Sequence, residues 1–508
     1  MHEVQGKCGI VAIHDYRVRN NVTDTYEYTR KLKHRGQHAC GHLYVQEGTR
    51  ENTLTVVTHN GSIEGLEKKL HEAQRVPYTR ITAGHTQYRT SGPHETEVDL
   101  TVPDPCSAQP MASKDGSLAI LWNGNLPDPD IRRKDESVDT QTLLRLIEES
   151  VCQSQRQDMT EVMSGTFRSI EQVAIGAFNI AVVHKGDPEN HILASLFAYR
   201  DRRGTRPFGY TMYNGQLLVA SENRACPYPD AVWRDIPPGH MINSLTPYPE
   251  PQEVIPADKC HCFFEWTYFA HVTSRFDGIG VAEARNHFGR ILAQGDRGAE
   301  FTANKQGVYV VPVPDSAKAG AAGYADELKI PTNTDAITRN PAFLGRKFID
   351  QSSEGKKHMI HEEEIHGKTL IVVEDSFVRG DTIIDLIEDL LRAHPKEIHL
   401  RFCSPPFLGP CYKGIDIRSS NELFIPKLFN YQVPPFDKDG CLPQRALERI
   451  AQALHVNSVR FLPIPGVPEA LRKEQHDLCM SCVDCQYNTE VERRLYNLDL
   501  KKVRTQQT

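Results

Sequence analysis

Glu374 and Asp375 stand side by side after the apolar run Leu370–Val373, in KTLIVVEDSFVRGDTIIDLIEDLLRAHP. A loop through Ser376, Val378, Arg379 and Gly380 follows. From Thr382 onward, Ile383, Ile384, Leu386, Ile387, Leu390 and Leu391 read as one helical face, and Pro395 closes the pattern. A buried strand that ends in a loop and feeds a helix N-terminus gathers free backbone N–H groups at the positive end of a helix dipole, which makes a phosphate site. The acidic pair suits ribose hydroxyls or a magnesium ion, which takes hard oxygens and keeps waters. The plainer reading is an ordinary strand–helix turn with a solvated acidic pair. The apolar run, acid pair, glycine and helix in one unit favour the functional one.

Cys8 opens the apolar stretch CGIVAI. Removal of residues 1–7 as a propeptide would give this cysteine a free α-amine. With a pKa of roughly 8, that amine can act as general base for its own thiol. Cys479, Cys482 and Cys485 cluster in DLCMSCVDCQY. Thirteen cysteines is an odd number, in a chain whose start has neither a basic lead nor a long apolar core with a cleavage site, so thiolate chemistry or metal binding is expected before disulfides. Soft thiolate ligands point to iron–sulfur or zinc equally. The isolated Cys40, Cys106, Cys152, Cys226, Cys403 and Cys441 read as small buried hydrophobes.

These groups must be positioned by more than one core, because 508 residues exceed what a single core supports. In the first ~250 residues, GKCGIVAI, SLAILWNG, AFNIAVV, LASLFAYR and QLLVAS are short apolar runs bounded by turn residues, with a helical pattern from Thr140. On local pattern WNGN reads as a hairpin turn and Asp139 as a helix cap. A turn-rich passage, IPPGHMI and TPYPEPQEVIP, leads to strand–helix alternation, which argues for a parallel sheet covered by helices. The composition, 39% hydrophobic and 25% charged, is that of a globular protein. A net charge of −7 argues against nucleic-acid binding, and no apolar run reaches the ~18–20 residues of a membrane span. A cytoplasmic location is expected.

The segment around Glu374 resembles the phosphoribosyl pyrophosphate (PRPP) motif of type I phosphoribosyltransferases. LKHRGQHACG, GHTQYRTSG, WNGN and Asp139 occur in the order seen in N-terminal-nucleophile glutamine amidotransferase domains. With AYRDRRGTRPFGY, ASENRA, FFEWTYFAH, VPVPDS, LGRKF and GIDIRSSNELF, the whole is similar to the amidophosphoribosyltransferase family. The resemblance implies an αββα N-terminal-nucleophile glutaminase domain, 8–250, after a propeptide, 1–7. It further implies an α/β phosphoribosyltransferase domain with a parallel sheet, 251–455, and a C-terminal extension carrying the cysteine cluster, 456–508.

By that resemblance Cys8 is the nucleophile, Asn123 and Gly124 form the oxyanion hole, and Asp139 holds the α-amino group of glutamine. Glu374, Asp375, Ser376, Val378, Arg379, Gly380 and Thr382 bind PRPP, with Ser316 joining the acidic pair at Mg²⁺ and Arg346 on a closing loop. Cys262, Cys411, Cys479 and Cys482 match the [4Fe–4S] ligands of the iron–sulfur branch, with Cys260 and Cys485 as near neighbours. The implied reaction makes 5-phosphoribosylamine from PRPP and glutamine-derived ammonia, the first step of purine synthesis. Purine nucleotide effectors and a homo-oligomer, dimer or tetramer, are implied as well.

Two departures stand out. Asp381 occupies a position where threonine is usual; it would cap the helix well but compete with phosphate for the same amides. The arginine that clamps the α-carboxylate of glutamine is Gln87 here. Arg89, two residues on, shares its face in an extended segment and is the candidate replacement. The change keeps two rivals open: an ammonia-dependent or donor-altered phosphoribosyltransferase with an impaired glutaminase, and a non-catalytic PRPP- or nucleotide-binding regulator.

Overall fold

The computed structural model describes residues 8–71, 73–76, 78–88, 108–126, 131, 133–134, 136, 138–153, 158–173, 176–340 and 357–505. The propeptide call 1–7, Arg89, Cys106 and Arg346 lie outside the described residues.

Alternation of side chains along strands builds the first half. Strand Gly9–Asp15 runs antiparallel between Gln216–Ala220 and Ile81–Gln87 in a seven-stranded sheet. Strand Leu118–Asn125 pairs with Ala177–His184 in a six-stranded sheet. Ile10, Ala12, Ala83, Ala119, Leu121 and Ala181 turn inward and fill the space between the sheets. Their neighbours turn outward under helices. Val11 and Ile13 pack with Tyr28 of helix Val22–Arg30, and Ile120 and Trp122 pack with Leu143, Ile147 and Phe167 of Asp139–Gln153 and Met159–Val173. This is the helix–sheet–sheet–helix sandwich expected from the motifs. Such two-sided burial explains why the strands read as continuous apolar runs.

In the second half, Val308–Pro312, Thr369–Glu374, Glu397–Phe402 and Ser458–Phe461 form a wholly parallel sheet. Helices Val281–Gln294 and Lys318–Leu328 pack on one face, Asp381–Arg392 and Gln444–Ala453 on the other. The C-terminal extension is tied into the rest of the fold. Leu478–Cys479 pairs in parallel with His261–Cys262, and Asp499 of helix Glu490–Thr505 accepts from the Ser419 hydroxyl at 2.6 Å. No helix among the described residues is long and apolar enough to cross a membrane.

Three local expectations are corrected. WNGN is not a turn: Asn123 and Gly124 lie within a strand, opposite Asn179 and Phe178, because the apolar run continues the pairing through them. Asp381 is not a cap but the first helical residue; Gly380, at φ +94, precedes it in the left-handed region that favours glycine. Cys152 is exposed, and Cys226 and Cys441 are only half-buried, whereas Cys40 and Cys403 are buried as expected.

Candidate active sites

Strand alternation brings the first site together. Cys8 continues the inward row Ile10–Ala12, Asn123 continues Ala119–Leu121, and His85 and Gln87 continue Ile81–Ala83. Cys8 is buried, and its thiol donates to the Tyr88 carbonyl at 3.6 Å. Burial pushes that thiol above its ordinary value, while the Tyr88 bond and the charges of Arg206 and Arg35 pull the other way. Arg35 donates to the Cys8 carbonyl at 3.1 Å and is neutralised by buried Glu222 and Glu265, at 2.6 and 3.1 Å. His85 is held by the Trp122 carbonyl at 3.0 Å, which locks the strand of Gln87 against that of Asn123. Asp139 accepts from the Leu126 N–H at 2.9 Å, so the helix start is fixed to the end of the Asn123 strand.

Of the residues expected here, Cys8 and Asn123 continue inward rows of the two facing sheets, Gly124 follows Asn123 in its strand, and Asp139 is tied to the end of that strand. Gln87 is buried where a cation was expected. Arg35 and Arg206, the described cations whose charge reaches Cys8, are both engaged by other groups.

The second site sits at the carboxyl end of the parallel sheet, where ligands of such sheets bind. Glu374 ends its strand; Asp375 is buried and accepts from the Ser316 and Ser376 hydroxyls, the latter at 2.5 Å. Burial, together with the charge of Asp375, pushes the Glu374 carboxyl well above the usual carboxylate range. A cation at the pair would favour the charged form. Ser316, Glu374, Asp375 and Ser376 therefore converge as expected, and the loop to Gly380 leads into the N-terminus of Asp381–Arg392 near Thr382. The Val378 carbonyl accepts from the Phe424 N–H at 3.0 Å, fixing the loop against the core. Arg379 is engaged elsewhere: it pairs with Glu422 and donates to the Asp416 carbonyl at 2.5 Å. It fastens the loop to the 416–422 segment.

Cys262, Cys411, Cys479 and Cys482, drawn from three separate stretches of chain, line one small cavity with Lys413, Tyr487 and Glu492. Cys411 Sγ accepts from the N–H groups of Lys413 and Ile415, at 3.4 and 3.3 Å. Lys413 Nζ lies 3.6 Å from Cys479 Sγ and 3.1 Å from Glu492. Cys260 is also present, with its sulfur 3.2 Å from Asn488 Nδ2, and it hydrogen-bonds Cys479. Among the described residues, no three His, Cys, Asp or Glu side chains are placed to grip a single metal ion. The four thiols lining this cavity are soft donors of the kind that an iron–sulfur group or zinc takes.

Sequence reasoning missed the contacts that join these sites. Tyr88, whose carbonyl receives the Cys8 thiol, donates its hydroxyl to Asp416 at 2.8 Å, and the Asp416 carboxylate lies 3.7 Å from Arg379 of the phosphate loop. Asn125 Nδ2 donates to the Tyr412 carbonyl at 2.8 Å, and Arg206 to that of Lys413 at 2.8 Å. Each residue sits inside a motif, but nothing local marks its partner some 200–330 positions away.

No family model matches the chain. Curated relatives match it nearly end to end. An amidophosphoribosyltransferase of Methanocaldococcus jannaschii is 26% identical over 95% of this chain and 98% of its own length. Another, of Pyrococcus horikoshii, is 28% identical over 95% and 96%. Among solved structures, the Bacillus subtilis glutamine PRPP amidotransferase complexed with ADP and GMP superposes with a TM-score of 0.76 at 23% identity. That match covers 95% of this chain and 98% of the other, and it shows that the two-domain fold is shared.

Proposed function

We propose that this chain is an amidophosphoribosyltransferase: it hydrolyses glutamine at Cys8 and uses the ammonia to displace pyrophosphate from PRPP, giving 5-phosphoribosylamine, the first step of purine synthesis. The observation that carries this reading is the adjacency of the two sites. Cys8, Tyr88, Asp416 and Arg379 form one line of contacts from the thiol to the phosphate loop. A nucleophilic thiol beside an inward asparagine makes ammonia, and a strand-end acidic pair before a helix N-terminus holds a ribose phosphate. Placing them together lets ammonia reach the ribose carbon without being lost to water.

Cys8 attacks the side-chain amide of glutamine, its free α-amine serving as base once residues 1–7 are removed. Asn123 and the Gly124 N–H receive the tetrahedral oxygen, and Asp139 holds the substrate amine. Arg89 clamps the α-carboxylate in place of Gln87. On the other side Glu374 and Asp375 receive the ribose hydroxyls and, with Ser316, would hold Mg²⁺, which would supply positive charge for the leaving pyrophosphate. The 376–382 loop takes the 5-phosphate, and Arg346 closes over PRPP.

Pyrophosphate release by the purified protein with PRPP, Mg²⁺ and either glutamine or ammonium chloride tests this. Turnover with both donors is expected. Turnover with ammonium alone would identify the donor-altered rival that Gln87 favours, and none with either would identify a binding protein.

Cys262, Cys411, Cys479 and Cys482 would hold a [4Fe–4S] cluster, whose part is to tie the C-terminal extension to the rest of the fold. Anaerobically purified protein should be brown and carry about four irons per chain, and Cys411→Ser should lose both colour and stability. Stoichiometric zinc without iron would refute the cluster but keep the ligand set. Effector nucleotides and a homo-oligomer complete the proposal.

A further inference from the structure

Resting on the reading of Cys8 as the glutaminase nucleophile, we infer that Arg206 is the positioning residue of the oxyanion hole. It fixes which end of the Asn123 amide faces the reacting oxygen. An asparagine amide turned by half a rotation exchanges a carbonyl for an NH₂, and only the NH₂ can stabilise an oxyanion. An arginine has donors and no acceptor, so it can face only Asn123 Oδ1. Arg206 does so through Nη1, while Asn123 Nδ2 is left buried with no hydrogen-bond partner among the described residues. A buried donor without a partner costs stability, so its retention needs a reason. The inward row that carries Asn123 also carries it toward Cys8, and the Arg206 charge reaches the Cys8 sulfur.

The guanidinium is itself held in place at some expense. Arg206 is 2% exposed, and its Nε has no partner among the described residues. The acid felt most strongly, Glu265, is already engaged by Arg35. Its second anchor is the Lys413 carbonyl, in the loop that carries Cys411. Gly414 in that loop has φ +105, and a Cβ there would lie 1.8 Å from Arg206 Nη2, so the loop can approach only as glycine. The orientation of Asn123 is thereby set from the far domain.

The test is a double-mutant cycle on Arg206→Met and Asn123→Ala, reading glutamine-dependent kcat, KM for glutamine and ammonia-dependent turnover. Arg206→Met should lower glutamine-dependent kcat by about a hundredfold, the range for one lost oxyanion donor. KM should stay within about threefold and ammonia-dependent turnover should hold, because among the described residues the hydrogen bonds of the Arg206 side chain go to Asn123 and the Lys413 carbonyl and none to Asp139 or the phosphate loop. Arg206→Lys should retain more activity than Arg206→Met. The decisive result is the double variant, no slower than Asn123→Ala alone, because Arg206 acts only through that amide. Additive losses would mean that Arg206 acts on Cys8 directly, and equal loss of ammonia-dependent turnover would make it a structural staple; either overturns the inference. Full glutamine turnover by Arg206→Met overturns it while sparing the glutaminase reading. A wild type that releases no glutamate removes both.

Discussion

Cys8→Ala should abolish glutamine-dependent synthesis and leave ammonia-dependent synthesis within about twofold of wild type. The thiol sits between the two sheets of the first half; the partners of Cys8, the Tyr88 carbonyl and Arg35, belong to that half and reach the second through Asp416 and Glu265. Alanine removes one buried sulfur and leaves Arg35 paired to Glu222 and Glu265, so the interface between the halves persists. Cys40, the next cysteine along the chain, cannot take over, because its thiol is on the Ser62 carbonyl under the outer helix. Glutamate release and pyrophosphate release, measured separately with each nitrogen donor, check the prediction. Loss of both activities together would mean that Cys8 is structural.

Asp375→Asn should depress PRPP turnover with either donor by at least tenfold, about 1.4 kcal/mol of transition-state stabilisation. Asparagine keeps the shape, and the Ser316 and Ser376 hydroxyls that donate to Asp375 can rotate to suit it. The fold should therefore hold, and the loss should report the missing charge on the ribose or magnesium side. A thermal melt within a few degrees of wild type, beside the lower kcat/KM, separates the two effects. Unchanged turnover would place the PRPP site elsewhere.

Much of this molecule was legible in its residues before any coordinates. The parallel sheet followed from apolar runs alternating with helical spacing, and Glu374–Gly380 followed from a strand end meeting a helix start, both local patterns that a few residues fix. Cys8 and the four cysteines came from motif order. Period-two alternation even placed Asn123 and Cys8 on inward rows once their strands were known. It did not reveal that WNGN is a strand, because Asn and Gly are turn formers and only pairing with Ala177–His184 overrides that preference.

Only the tertiary structure decided which charged groups are left for chemistry. Arg379, expected at PRPP, has its side chain on Glu422 and the Asp416 carbonyl. Arg206, which nothing singles out within the AYRDRRGTRPFGY motif, is the group that orients Asn123. Lys413, which no sequence pattern singled out, lies buried between Cys479 and Glu492. The physical reason is common to all three. A long cationic side chain is assigned by whichever acceptor the fold carries to its tip, and those acceptors come from segments that sequence separation leaves unrelated. Backbone pattern is set by neighbours in the chain; the pairing of buried charge is set by neighbours in space.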